Sequence, residues 1–183
     1  KRSFHKLLSA GILITLILTA AGIVLHSKIF KHDILTQMRS PDGRISVLVL
    51  PFQNMTNDTT WNVWQDGIQN ELITYLTNFK ELQVRQIESV TGLLRGKGLT
   101  DYASLTPSVA NDISRKLNAN VFIDGAIKQA GTTVRINARL TDSKTEEVLK
   151  SFQVDGSPGQ ILTLIDSLSA MTKNFLILSK LEK

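Results

Sequence analysis

The sequence predicts an α/β domain with a mixed sheet and helices packed on it, preceded by one transmembrane helix. Three observations support this: an uncharged apolar run near the start, a continuous apolar run of strand length, and a change to two-residue alternation after position 120. With 183 residues, 42% of them hydrophobic, the chain suffices for one ordinary domain with its own core. The predicted element order is β-α-β-α-α-β-β-β-α.

The predicted transmembrane helix covers residues 7–25, nineteen residues without a charge. At about 1.5 Å per residue, this length is just enough to cross roughly 30 Å of hydrocarbon. A cleaved signal peptide is the alternative, but it usually has a shorter apolar run that ends in small residues. Here the run continues into "HSKIFKHD". We therefore expect an uncleaved anchor between a basic flank at 1–6 and a polar tether at 26–44.

The net charge of +5 is confined to the region of the anchor. Residues 1–40 hold six Lys or Arg against one acid, whereas the remainder holds fifteen of each sign. A basic stripe for phosphates is therefore absent from the sequence of the folded part, and we expect no nucleic-acid partner. Because three basic residues precede the span and three follow it, charge does not decide the membrane orientation.

The folded domain is predicted to cover residues 45–183. Its first strand, "ISVLVLPF" at 45–52, is apolar on both faces and so requires helices above and below it. A helix follows, with apolar residues at helical spacing: Ile68, Leu72, Ile73, Leu76 and Phe79. Next come a short strand at 82–87 and a weaker helix at 89–95, which ends at "GKG".

Thr106 and Pro107 predict the start of another helix, as N-cap and first helical residue. Its apolar stripe comprises Val109, Ala110, Ile113 and Leu117. From position 120 the period becomes two, which predicts a hairpin with one wet face. The inward set is Val134, Ile136, Ala138 and Leu140; the outward set is Arg135, Asn137, Arg139 and Thr141.

The last two elements are a strand at 146–154, after the "DSKTE" turn, and a long amphipathic helix. Ser157 and Pro158 begin this helix, and Gln160 completes a capping box. Its predicted buried face is Ile161, Leu164, Ile165, Leu168, Met171 and Phe175.

The polar loop after the first strand is the candidate functional site. It lies at the carboxyl end of a buried strand and before a helix N-terminus, where open α/β sheets usually bind their ligands. Its candidate interaction residues are Asn54, Asn57, Asp58, Trp61 and Trp64. Tryptophan is a common interface anchor, although packing of one or both against the core or the tether is the alternative.

The carboxylates of this loop also have two interpretations. Asp58 and Asp66 could flank a cleft, or Asp58 caps the helix and Asp66 is a first-turn acid favoured by the helix dipole. The three histidines lie at positions 5, 26 and 32, and the chain has no cysteine. The residues of nucleophilic triads and of ordinary zinc sites are thus missing from the folded part. We expect no enzymatic activity, no cofactor and no metal.

The chain resembles the TolB amino-terminal-like domain of bacterial membrane-anchored proteins that also carry tetratricopeptide repeats. The resemblance covers roughly residues 44–155. The residues that match the family pattern are Leu50-Pro51-Phe52, Asp66-Gly67-Ile68, Gly125 and the alternating stretch 134–140. In the family, an aromatic residue is common after the turn that leads into the strand following the hairpin. This sequence has Val148 and Leu149 there instead.

The resemblance implies a non-catalytic adaptor between a membrane helix and downstream repeats, into which the last helix would lead. An output module is expected upstream: a DNA-binding winged helix, a nucleotide cyclase or a kinase. We therefore expect a single-pass protein of the bacterial inner membrane with its domain outside the cytoplasm. Its expected partners are the lipid bilayer and either another envelope protein or its own repeats.

The alternative is an extracytoplasmic sensor whose loop pocket binds a small envelope ligand and signals through the transmembrane helix. Both interpretations keep the same fold. The sequence makes no prediction about the oligomeric state.

Overall fold

The computed structural model describes residues 40, 42–98, 102 and 105–178. The predicted basic flank at 1–6, the transmembrane helix at 7–25 and most of the tether at 26–44 lie outside the described residues. Within the described part, no helix is long and apolar enough to cross a membrane.

The described residues form one mixed sheet with helices packed on it, which confirms the predicted class. The strands are β1 (Ile45–Val49), β2 (Gln53–Asn54), β3 (Leu82–Val84), β4 (Val121–Ala130), β5 (Thr133–Asp142) and β6 (Val148–Gly156). The helices are α1 (Val63–Thr77), α2 (Ile87–Gly96), α3 (Pro107–Lys116) and α4 (Ile161–Leu178). The sheet order is β3-β1-β4-β5-β6, and β2 also pairs with β4.

β1 is the central strand of the parallel part of the sheet, which meets the antiparallel part at β4. It pairs in parallel with β3 and with β4, while β4, β5 and β6 pair in antiparallel. Every residue of β1 is buried, as the sequence predicted. The prediction that the strand continues to residue 52 was wrong. Pro51 has no N–H to donate, and the N–H of Phe52 binds the carbonyl of Gln65 in α1, so strand pairing resumes only at Gln53.

The two faces of β1 contribute to separate apolar layers, because alternate side chains of a strand point in opposite directions. On one face, Leu48 and Leu50 pack in a cluster with residues of α2 and α3 that includes Leu94 and Ile113. α1 and α4 contact each other, and α4 also contacts β6. α1 also contacts β1, so helices pack on the sheet around the first strand, as the sequence predicted.

The hairpin β4–β5 has one buried and one wet face, as predicted. The inward residues of β5, from Val134 to Leu140 at every second position, are fully buried. On the wet face Arg135 forms two hydrogen bonds to Asp155 in β6, of 2.6 and 2.8 Å, and Arg139 pairs with Asp124. Thr141, expected to face outward, is buried, because it lies beside Pro107 and Asn111 of α3, which cover this end of the outward face.

The buried face of α4 differs from the predicted one near its end. Met171 was expected to be buried, but it is exposed, while Thr172 and Leu176 are buried. Position 171 is ten residues from Ile161, which at 3.6 residues per turn rotates it about 80° from Ile161, in the direction opposite to Thr172 and Leu176. The start of the helix agrees with the sequence, because Gln160 Oε1 accepts the Ser157 backbone N–H at 3.1 Å.

Gly125 in β4 permits a close approach of two neighbouring groups. A Cβ at this position would overlap both the Phe52 ring and the carbonyl oxygen of Asn137. Phe52 is fully buried and can move little. The strand therefore requires glycine here for space, since its backbone is ordinary extended chain.

We predict that Gly125→Ala lowers the free energy of unfolding by about 3 kcal/mol, because both neighbours must shift in a close-packed core. Urea titration of the full chain measures this as a lower midpoint. Gly92→Ala is the matched control, because a Cβ there meets nothing within 4 Å. That helical position should gain up to about 1 kcal/mol. Equal midpoints for the two variants would contradict the packing argument.

Candidate functional site in the β2–α1 loop

The loop between β2 and α1 is held in shape by its own polar side chains. Asn54 Nδ2 donates to the carbonyl of Asp58 at 3.0 Å and to Asn62 Oδ1 at 2.7 Å. Its Oδ1 accepts the backbone N–H and the hydroxyl of Thr56, at 2.9 and 2.7 Å. Asn54 thus uses its amide inside the loop, where it acts as an organising residue.

Asp58 caps the single 3-10 turn, Thr59–Asn62, that precedes α1. Its Oδ1 accepts the Thr60 backbone N–H at 2.8 Å. Hydrogen bonds from the backbone and the side chain of Thr60 lower the pKa of the Asp58 carboxyl from its usual value. Asp58 therefore has the capping role that the sequence offered as one of two interpretations.

Asp66 lies in the first turn of α1, as the same interpretation expected. It also accepts a hydrogen bond from the hydroxyl of Tyr102. Burial first, and this hydrogen bond second, raise the pKa of Tyr102 to about 12. The two carboxylates of the loop region thus stabilise local structure, one at a turn and one at a contact between distant segments.

The two tryptophans have different environments. Trp61 is 6% exposed, and its Nε1 donates to Gln129 Oε1 in β4 at 2.8 Å. Trp64 is partly exposed, with its ring against Gly67, where a Cβ would lie 3.1 Å from Cε3. Trp61 therefore packs against the sheet, which was the alternative to docking, and it ties the loop to the β4–β5 hairpin.

The exposed part of the loop is a mixture of polar and apolar side chains. Asn57 and Asp58 are exposed. Met55 and Val63 are 57% and 71% exposed, and neither was among the interaction residues predicted from the sequence. Val63 begins α1 at a position where helical spacing places no core residue, and that spacing is the signal by which it could have been found.

The loop lines neither of two clefts that lie elsewhere among the described residues. Those clefts lie beside α3 and the turn between β5 and β6. Among the described residues, no group of three or more His, Cys, Asp or Glu is arranged to hold a metal ion. The described geometry of the loop is that of a structured surface.

Comparison with known proteins gives one curated relative and several structures of the same fold. No family model matches the chain. The chain is 28% identical over 131 residues to a protein of Rhizobium meliloti (strain 1021) named "Putative adenylate cyclase 3". The match covers 72% of this chain and 21% of that protein, so the chain spans about a fifth of the length of its relative.

The structural neighbours share the fold at low sequence identity. Lipoprotein GNA1162 from Neisseria meningitidis aligns with a TM-score of 0.54 and 20% identity, over 70% of this chain and 96% of that chain. Escherichia coli LpoB aligns with a TM-score of 0.52 and 18% identity, over 69% and 64%. Hypothetical protein CT253 from Chlamydia trachomatis aligns with a TM-score of 0.52 and 14% identity, over 74% and 99%. The chain thus has a fold found in bacterial proteins that include a lipoprotein.

We predict that Trp61→Ala lowers the free energy of unfolding by about 3 to 5 kcal/mol, because it removes a buried aromatic side chain. Trp61→Phe keeps most of the packing and removes the hydrogen bond to Gln129, and it should cost less. The measurement is the urea midpoint of each variant. A wild-type midpoint for Trp61→Ala would contradict the core role and return Trp61 to the docking surface.

We predict that stability falls between pH 10 and pH 12, in part because of Tyr102. In this range the folded state keeps the phenol proton that the unfolded chain loses near its ordinary pKa of 10, so rising pH favours unfolding. Tyr102→Phe should make the loss of stability over this range shallower than in wild type. Parallel slopes for Tyr102→Phe and wild type would refute the contribution of Tyr102.

Proposed function

We propose that this chain is a non-catalytic interaction domain of a membrane-anchored bacterial envelope protein, and that it docks another envelope protein through the β2–α1 loop. The observation that carries the proposal is the exposure of Met55, on a loop whose backbone is held by internal hydrogen bonds, and of Val63 at the start of α1. Exposed apolar side chains on a preorganised loop bind at little conformational cost, because few rotatable bonds remain to be ordered.

The roles of the loop carboxylates support a function without catalysis. Asp58 is occupied as a cap and Asp66 accepts from Tyr102, so neither is positioned as a free general base in a cleft. The TolB amino-terminal-like resemblance, with a single inner-membrane span and downstream repeats, gives the same role to this part of a larger protein. The fold shared with a bacterial lipoprotein agrees with an envelope location.

The curated relative supports a place beside a signalling module. The chain matches about a fifth of a protein named as an adenylate cyclase, and a nucleotide cyclase is one of the output modules that the resemblance implies upstream. In this proposal the domain reports the binding of its partner to such a module across the membrane.

Crosslinking from the loop tests the docking surface. A photoreactive amino acid at Val63 in the full-length protein in its native cells should form one adduct with a specific envelope protein, identified by mass spectrometry. The matched control is Leu162 in α4, which is 58% exposed and lies outside the loop. Adducts of equal pattern from both positions, or only adducts with the protein itself, would refute docking of a separate partner at this loop.

The apolar side chains of the loop should contribute to that docking without supporting the fold. We predict that Met55→Ser with Val63→Ser abolishes the adduct formed from a photoreactive residue at Asn57, while changing the free energy of unfolding by no more than about 0.5 kcal/mol per site. A strong adduct in the double variant would show that the two apolar side chains do not form the docking surface.

Single-cysteine labelling tests the proposed orientation, and the absence of native cysteine makes the readout clean. Ser151→Cys, at an exposed position of β6, should react with a membrane-impermeant thiol reagent in intact cells whose outer membrane has been permeabilised. Ser3→Cys, before the predicted span, should react only after lysis. The reverse pattern would place the domain in the cytoplasm.

A further inference from the structure

The outer edge of β6 is the longer of the two free edges of the sheet. β6 and β3 lie at opposite ends of the strand order, and they have nine and three residues. At about 3.4 Å per residue, the edge of β6 runs for roughly 30 Å. No strand among residues 42–98 and 105–178 pairs with it. Its outward backbone groups are therefore available to a further strand.

β6 has few of the features that protect edge strands. Proline, bulges, short length and charged side chains on the covered face normally prevent such strands from pairing. β6 contains no proline, and its pairing with β5 is regular from Lys150 to Gly156. Lys150 is the one charged residue of this stretch that shares a face with the buried Phe152. The stretch 150–156 is thus open to pairing along most of its length.

α4 places an exposed apolar side chain beside this edge. The helix packs on β6 and on α1, and Lys173 Nζ lies 5.4 Å from the centre of the Phe79 ring, just after α1. Met171 is two residues earlier, about 200° around the helix, and so faces away from α1. One turn later, the Phe175 ring centre lies 6.2 Å from that of Phe152 in β6. Because α1 contacts β1 and β3, Met171, which is 42% exposed, lies on the side of α4 that borders the free edge.

The sequence of β6 is complementary to itself. Two copies of one strand that meet about a two-fold axis must run antiparallel. With the axis at Gln153, this residue lies opposite its own copy, Phe152 lies opposite Val154, and Ser151 lies opposite Asp155. The pair of an aromatic and a β-branched residue is favourable in antiparallel sheets. No two like charges lie opposite each other in this register.

The charges on the wet face of the hairpin also match across such an axis. Within one copy, Arg139 lies next to Ser151, and Arg135 lies next to Asp155. The pairing extends the first row from Arg139 and Ser151 to Asp155 and then Arg135 of the second copy. Arg139 and the carboxylate of the second copy are two strands apart, roughly 10 Å between Cα atoms. Charges of opposite sign therefore face each other across the axis, and the two copies attract.

We propose that β6 pairs with β6 of a second copy of this chain, antiparallel and centred on Gln153, so that one sheet continues through both copies. Backbone hydrogen bonds supply the affinity, as in other cases of strand addition. Met171 borders the added strand and becomes covered by it. β2 pairs with β4, two strands away from β6, so this interface leaves the docking loop free.

Single cysteines in the full-length protein in its native membranes test this pairing, because the chain has no cysteine of its own. Gln153→Cys places two thiols opposite each other with Cα atoms about 5 Å apart, within the range of a disulfide. It should form a covalent dimer on mild oxidation. Ser151→Cys is the matched control on the same face of β6, because its two copies lie roughly 14 Å apart. It should give no dimer.

Two results of this experiment overturn the proposal. The first is the absence of a covalent dimer from Gln153→Cys, as expected if a strand of another protein takes the edge. The second is an equal yield from the two cysteines, which indicates random collision.

A charge at the axis tests association without oxidation. Gln153→Lys puts two ammonium groups opposite each other and should weaken the dimer of the full chain in detergent about fivefold or more, measured by sedimentation equilibrium. Gln86→Lys makes the same change at an exposed position before α2 and should leave the dissociation constant unchanged. Both positions are exposed, so the far-ultraviolet circular dichroism of both variants should match wild type. A wild-type dissociation constant in Gln153→Lys overturns the proposal.

Discussion

The contact between Phe52 and Gly125 determines how the chain that follows β1 packs against β4. Phe52 follows Pro51, at which the first strand must stop pairing, and its ring occupies the space that a side chain on β4 would otherwise fill. The backbone N–H of Phe52 binds α1 at the same point. One residue thus connects the end of β1, the start of α1 and the middle of β4, and the β2–α1 loop takes its position from this connection.

Most of the fold could be predicted from the sequence because its signals are local and repetitive. The alternation in β5, the buried run of β1, the Thr106 cap with Pro107, and the glycine-rich end of α2 each depend on neighbouring residues only. Errors arose where two local rules compete. The apolar run that predicted the first strand continues through Pro51, whereas the strand itself ends at Val49. Helical spacing of three and four residues extended the predicted buried face of α4 to Met171, which is exposed.

The candidate site and the buried polar contacts were harder to predict, because those contacts join distant positions. The Trp61 indole N–H donates to Gln129, which lies near the exposed end of β4, 68 positions later in the chain. Asn111 sits in an amphipathic helix beside Asp112 and would ordinarily be assigned to solvent, yet it is covered by a turn that comes thirty-five positions later. The spacing of apolar residues shows which side of a helix is buried, but it does not show which polar residues of that helix are buried as well.

The sheet order also governs how the chain reaches its native state. Each residue of β4 finds its partner in β5 through a turn of two residues, so this pairing can form early. Val47 of β1 must instead wait for Val121, which is synthesised only after α1, β3, α2 and α3. Non-local parallel pairing of this kind closes slowly, and during translation the most apolar strand of the domain has β3 as its one available neighbour. A nascent chain that ends before β4 therefore leaves one edge of β1 unpaired, and unpaired apolar edges of this kind are prone to aggregate.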